Sequence, residues 1–321
     1  MHQAMYQAIK NFQQQFSWEP QIEGGELPSN FTKFTVAGMG GSHLAADLLI
    51  ARESHLDIII HSDYGLPRRL GERLVIASSY SGNTEETIDA FNVALERQLP
   101  LIAISIGGRL IKLAKDNQIP YIKMPDTGIQ PRMALGYSIK AMARAMAQNK
   151  FLEELTKLPQ LVKPQNLEPK GRKLAEQLKN KIPVIYASAS NQAVAYNWKI
   201  KFNETGKIPA FYNVLPELNH NEMIGFDVKD STRDLSNNFY FIFLRDDNDN
   251  KRIQKRMEIL QKLYQERGLA VKILNLEGRD RFYKIFTSLV LADWAAYYTA
   301  LEYELDPEQV PMVEEFKGLI K

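Results

Sequence analysis

Apolar positions along the chain fall into short, almost unbroken runs bounded by small or polar residues. In the first half Phe34-Thr-Val-Ala, Leu56-Asp-Ile-Ile-Ile-His, Leu74-Val-Ile-Ala and Leu101-Ile-Ala-Ile read as strands. In the second half Pro183-Val-Ile-Tyr, Ala210-Phe-Tyr-Asn-Val, Phe239-Tyr-Phe-Ile-Phe-Leu and Ala270-Val-Lys-Ile-Leu read as their counterparts. Runs that are apolar at nearly every position suit parallel strands buried on both faces, because a half-solvated strand would alternate with polar residues. Helical stretches stand between them, notably residues 84–98 and 251–267. A repeated strand-then-helix order requires a parallel sheet with helices on both faces. The matching order of the two halves predicts an internal duplication, hence an α/β chain of two similar doubly wound domains.

The N-terminal segment carries Met5, Ile9, Phe12 and Phe16 at helical spacing, which predicts one docking helix. It has neither the basic nor the apolar region of a secretion signal. Pro159, Pro164 and Pro169 are expected to interrupt any helix over residues 151–170. That linker puts the domain boundary near 155, giving domains 1–155 and 156–321.

Composition narrows the function. A chain of 321 residues suits two domains, and 45% hydrophobic with 24% charged residues excludes disorder. The net charge of +2 supplies no broad positive field for nucleic acid. Cysteine is absent, which removes disulfides, thiolate nucleophiles and cysteine-held metals and fits a reducing, cytoplasmic setting. The most apolar stretch, 285–296, contains Asp293 and falls short of the about 20 residues that a membrane span needs.

Ligands of such sheets bind in the turns beyond the carboxyl ends of the strands, and the polar clusters of this sequence stand there. Gly38-Met-Gly-Gly-Ser42 follows a strand and opens a helix, so Gly41 and Ser42 are candidates to hold an anion at the positive helix end. A tight turn without a ligand explains the same glycines, and the G-x-G-x-x-G spacing of a dinucleotide loop is missing. Ser78-Ser-Tyr-Ser-Gly-Asn-Thr-Glu-Glu-Thr87 is more specific, since Ser79, Ser81, Thr84 and Thr87 bring four hydroxyls to one turn. No lysine accompanies them, which suits a monophosphate better than a nucleotide. Helix capping by Asn83 or Thr84 is the competing explanation, and both roles are compatible.

With Gly38-Met-Gly-Gly-Ser42, the segment Ser79-Tyr-Ser-Gly-Asn-Thr-Glu-Glu-Thr87 resembles the sugar isomerase (SIS) domain. Gln130-Pro-Arg-Met-Ala-Leu-Gly136, Lys201-Phe-Asn-Glu-Thr205, Glu217-Leu-Asn-His-Asn-Glu-Met223 and Asp293-Trp-Ala-Ala-Tyr-Tyr narrow the likeness to the bifunctional phosphoglucose/phosphomannose isomerases. The resemblance implies a metal-free, cofactor-free aldose-ketose isomerase that acts on glucose 6-phosphate. It implies that Glu204 moves the proton between C1 and C2, that His220 and Lys317 assist ring opening, and that Arg132 faces the enediolate. It also implies a homodimer in which His220 can reach the other subunit's site.

Each residue has a plainer explanation beside that one. Glu204 could be a solvated carboxylate paired with Lys201 or Lys207, Arg132 a surface ion pair, and Lys321 stands close to Lys317. One position departs from the family pattern: Val310-Pro311 stands where Thr-Pro is expected, which leaves acceptance of mannose 6-phosphate open. Arg245-Asp-Asp-Asn-Asp-Asn, the counterpart of the serine loop, is acidic and is expected to repel phosphate. It also lacks the spacing of a calcium loop. Two other functions remain on these residues alone, a non-catalytic sugar-phosphate sensor and an amino-sugar-phosphate isomerase or deaminase.

Overall fold

The computed structural model describes residues 3–27 and 31–320. Two compact units make up the chain: Asn11–Val162, and the remainder from Lys163 together with the first ten residues. The first holds β1 (Lys33–Ala37), β2 (Asp57–His61), β3 (Leu74–Ser78), β4 (Leu101–Ser105) and β5 (Tyr121–Lys123) in the order β2-β1-β3-β4-β5, all parallel. The second holds β6 (Ile182–Ser188), β7 (Phe211–Leu215), β8 (Phe239–Arg245) and β9 (Ala270–Asn275) in the order β7-β6-β8-β9, again parallel. The same four-strand order recurs, as the duplication requires. The first sheet adds β5, whose three residues after Pro120 are too few to show a pattern in sequence.

Burial explains the apolar runs. Every residue of β3 and β4 is buried, with Phe91, Leu110 and Ile111 of the flanking helices covering one face. The second unit fills the equivalent place with aromatic rings, and Phe241 and Tyr264 lie 4.6 Å apart between centroids.

The N-terminal stripe is two elements instead of one helix. An α-helix covers Gln3–Lys10, and beyond Asn11 the chain tightens into a 3-10 helix, Phe12–Ser17. Met5 and Ile9 are buried with the second unit, where Tyr6 lies 5.2 Å from Trp294 and the Met5 N–H donates to Glu308 Oε1 at 2.8 Å. Phe12 and Phe16 are buried with the first.

The proline-rich stretch is helical as well: Asn149–Thr156, Leu158–Leu161 and Pro164–Gln177. Pro159 and Pro164 stand in first turns, where the missing N–H has no intrahelical partner to lose. Pro169 lies inside its helix, which packs closely on Arg281–Glu302. A Cβ on Gly171 would come within 2.4 Å of Trp294 Cβ, so this pair of helices needs glycine there. The compact units divide between Val162 and Lys163, a short way beyond the expected 155.

Helices Gln192–Glu204 and Arg281–Glu302 are joined by an ion pair, Lys201 Nζ to Asp293 Oδ1 at 2.5 Å, with both side chains almost wholly buried. Removing one partner leaves a buried charge uncompensated. Asp293→Ala is therefore expected to cost about 3–5 kcal/mol, read from the urea unfolding midpoint, and a loss below about 1 kcal/mol would show that the pair does not hold the helices. No helix among the described residues is long and apolar enough to cross a membrane.

Candidate active site

In the first unit the loops after β1 and β3 are locked together before any ligand is considered. Ser78 Oγ donates to the Ser42 carbonyl at 2.9 Å, and the Tyr80 N–H donates to Ser42 Oγ at 3.0 Å. Gly38 has to be glycine here, because a Cβ would lie 2.6 Å from the Ser78 carbonyl oxygen. Gly82 has φ +73, and its Cβ would sit 1.9 Å from the Gly107 carbonyl, so the serine loop also closes on the loop after β4.

The hydroxyls divide by role. Ser79 Oγ and Thr84 Oγ1 are 2.8 Å apart, and Ser79 Oγ also accepts the Gly82 N–H at 3.1 Å. Ser81 is exposed, and its Oγ accepts the Asn83 N–H at 3.2 Å. Thr84 is the N-cap of helix Glu85–Glu96, yet its side chain makes no capping bond and turns to Ser79 instead. Thr87 leaves the cluster, since its Oγ1 donates back to the Ser78 carbonyl at 3.4 Å in a buried position. Three hydroxyls of that turn, with Ser42, thus stand at the carboxyl ends of β1 and β3, beside two helix starts that favour an anion.

Arg132 joins this end of the unit. Its backbone N lies 3.6 Å from where a Gly41 Cβ would be, and its residue is 4% exposed, so it is not a surface ion pair. The turn that carries it is held by Gln15, a residue with no local sequence signal of that role. Gln15 Nε2 donates to the Met133 carbonyl at 2.8 Å, while Gln15 Oε1 accepts the Gly136 N–H at 3.0 Å. A Cβ on Gly136 would meet the Gln15 side chain at 2.7 Å, which accounts for the glycine.

In the second unit Glu204 is the last residue of helix Gln192–Glu204 and is half-buried. Lys201, one turn earlier, is committed to Asp293, and Lys207 Nζ reaches the backbone carbonyls of Glu204 and Gln309. His220 follows β7 in a short 3-10 turn and is exposed. Because β6 and β7 are parallel, the helix between them returns the chain to the start of β7, and Glu204 and His220 fall at opposite ends of that sheet. The five residues of β7 alone separate them by about 16 Å. Lys317 lies on an exposed C-terminal helix, Pro311–Leu319, that begins just after Val310, and pairs with Glu314 Oε1 at 2.8 Å.

The second unit's counterpart of the serine turn has its own occupant. Asp249 Oδ1 accepts from Ser188 Oγ at 2.7 Å, Ser190 Oγ at 3.0 Å and Asn191 Nδ2 at 3.4 Å, so a carboxylate of the chain bridges the loops after β6 and β8. Burial pushes the Asp249 carboxyl above the usual aspartate range, partly offset by the two serine hydroxyls. Neighbouring Asp246 pairs with Lys284 at 2.6 Å and Arg281 at 2.7 Å. Burial works against its charged form, but these cations and the Asn248 N–H outweigh it and hold its carboxyl below the usual range. Among the described residues no group of three or more histidine or carboxylate side chains is placed to hold a metal ion.

Residues 168–320 match the family model described as the bacterial phospho-glucose isomerase C-terminal SIS domain. A bifunctional phosphoglucose/phosphomannose isomerase of Aquifex aeolicus is 30% identical over 99% of this chain and 98% of that protein. One from Caldicellulosiruptor bescii is 31% identical with the same shares covered. Among solved structures, glucosamine-6-phosphate deaminase from Thermotoga maritima superposes with a TM-score of 0.67 at 16% identity, covering 96% of each chain, which speaks for the fold alone.

Proposed function

This chain belongs to the family of bifunctional phosphoglucose/phosphomannose isomerases and is a sugar-phosphate isomerase; on that premise we propose that it interconverts glucose 6-phosphate and fructose 6-phosphate through an enediolate. The observation that carries the reading is the joined pair of loops, which brings Ser42, Ser79, Ser81 and Thr84 to the carboxyl ends of β1 and β3, beside the starts of two helices. With Gly41 they hold the phosphate of an open-chain sugar. Glu204 removes the C2 proton of the aldose and returns it to C1, while the hydroxyl proton passes from O2 to O1 as the carbonyl moves from C1 to C2. Arg132, always charged, stabilises the negative oxygen that forms in between.

Ring opening breaks the C1–O5 bond, with a proton delivered to O5 and the O1 hydroxyl proton taken away, and His220 and Lys317 serve as the donor and acceptor of these two protons. We infer a homodimer in which His220 comes from the partner subunit, because the second sheet separates His220 from Glu204 within a chain. The exposed Met312, Phe316 and Leu319 of the C-terminal helix offer apolar area for such an assembly. Mannose 6-phosphate is the poorer substrate in this reading, since Val310 brings no hydroxyl.

A coupled assay with each hexose phosphate, run with and without a chelator, tests the proposal. Turnover of glucose 6-phosphate that the chelator leaves unchanged is expected. Saturable binding without turnover would favour the sensor, and loss of turnover on chelation would overturn the metal-free route.

A further inference from the structure

The loop that carries His220 is fastened to the sheet by one carboxylate, and the proposed reaction assigns that carboxylate no role. Glu222 Oε2 accepts from Asn213 Nδ2 of β7 at 2.5 Å, and Glu222 Oε1 accepts from the hydroxyl of Tyr186, a residue of β6 with no exposed surface. Tyr186 OH stands 3.5 Å from Tyr264 OH. Burial, with Tyr264 and Glu222 beside it, pushes the Tyr186 phenol far above its usual value, so it stays protonated and donates at any working pH. A bond from a donor to a carboxylate is about twice as strong as a neutral one, and this one is sheltered from water.

The backbone between the anchor and His220 leaves little slack. The His220 N–H donates to the Glu217 carbonyl at 2.9 Å and the Glu222 N–H to the Leu218 carbonyl at 3.1 Å. Leu218 is buried in the aromatic core. His220 therefore projects, exposed, from a tight turn pinned on one side by an apolar side chain and on the other by Glu222. Among the described residues no side chain of the chain bonds its imidazole, so the direction of the ring depends on its backbone.

We propose that Glu222 is a positioning residue, which acts through His220 by tying its loop to Tyr186 and Asn213. This rests on the role given to His220 above. Small displacements of a reacting group are costly, on the order of 100-fold for about 1 Å. Glu222→Ala is expected to lower kcat for glucose 6-phosphate about 10- to 100-fold with KM changed less than about threefold. Glu222→Gln keeps an acceptor for Tyr186 and should lose less than about fivefold.

The decisive readout is a double-mutant cycle. In a His220→Ala background the further change Glu222→Ala should cost less than about twofold, because the group it positions is gone. A residue that merely supports the fold would cost the same in both backgrounds, and that result overturns the proposal. Should Glu222→Ala fail to fold, Tyr186→Phe removes the donor and keeps the ring; it should lower kcat about 3- to 10-fold in the parent and leave His220→Ala unaffected. Full kcat for the Glu222 and Tyr186 variants in an enzyme that needs His220 overturns this inference alone. Full kcat for His220→Ala overturns the role of His220 as well.

Discussion

Glu204→Gln is expected to turn over glucose 6-phosphate between about 10²- and 10⁴-fold more slowly than the parent, the range that a positioned base contributes. The substitution conserves shape and the ability to hydrogen-bond, and removes only the capacity to take a proton. Glu204 stands at the end of a helix that is fixed elsewhere, by Lys201 on Asp293 and by Trp198 Nε1 on Ser288 at 2.9 Å, so the fold should tolerate the change. The hydroxyls proposed to hold the phosphate belong to the other compact unit. Affinity for a non-reacting ligand such as inorganic phosphate should then stay within about threefold, measured by equilibrium dialysis, since the loss is confined to an interaction made in the transition state. Turnover within threefold of the parent would remove Glu204 from the proposed role.

The second expected result concerns two inactive chains that repair one another. Glu204→Gln and His220→Ala chains carrying different tags, co-expressed and purified through both tags, should recover about half of the parent activity per dimer, although each variant alone has almost none. The reason is geometric. β6 and β7 run the same way, and Gln192–Glu204 carries the chain back between them, so Glu204 lies beside the start of β7 and His220 beyond its end. In a mixed dimer one site then receives an intact glutamate from one chain and an intact histidine from the other, and the second site receives neither. Were both residues drawn from the same chain, every site of the mixed dimer would contain a defect. Activity no higher than that of the separate variants would exclude a shared site.

The eight longer strands were legible because each is a near-continuous apolar run closed by a small, polar or proline residue, and their order in the two halves repeats. The failures have separate physical causes. Met5, Ile9, Phe12 and Phe16 keep an i, i+3/i+4 rhythm that an α-helix and a following 3-10 turn satisfy equally well, so the break at Asn11 leaves no periodic trace. The prolines of the connecting stretch read as breakers, but a first-turn proline starts a helix as readily as it ends one.

Of the candidate phosphate-binding hydroxyls, Ser42, Ser79, Ser81 and Thr84 could be placed in strand-to-helix turns from the sequence, whereas Thr87 shares their chemistry and points the other way. Gln15 could not have been found, because the turn it caps lies more than a hundred residues away in sequence. The roles of Glu204, His220, Arg132 and Lys317 came from likeness to a family, since a carboxylate or an imidazole in a polar segment carries no local signal of what it faces.

The path of the chain also bears on how the protein is made. The helix Gln3–Lys10 leaves the ribosome well before the surface that Tyr6 and Met5 need, at Trp294 and Glu308, about three hundred residues further along the chain. Everything from Asn11 to Val162 can form its own core in the interval, while Met5 and Ile9 wait uncovered. A fragment starting at Lys163 would for the same reason emerge with an apolar groove left open, and a synthetic peptide of the first ten residues is the natural plug for it.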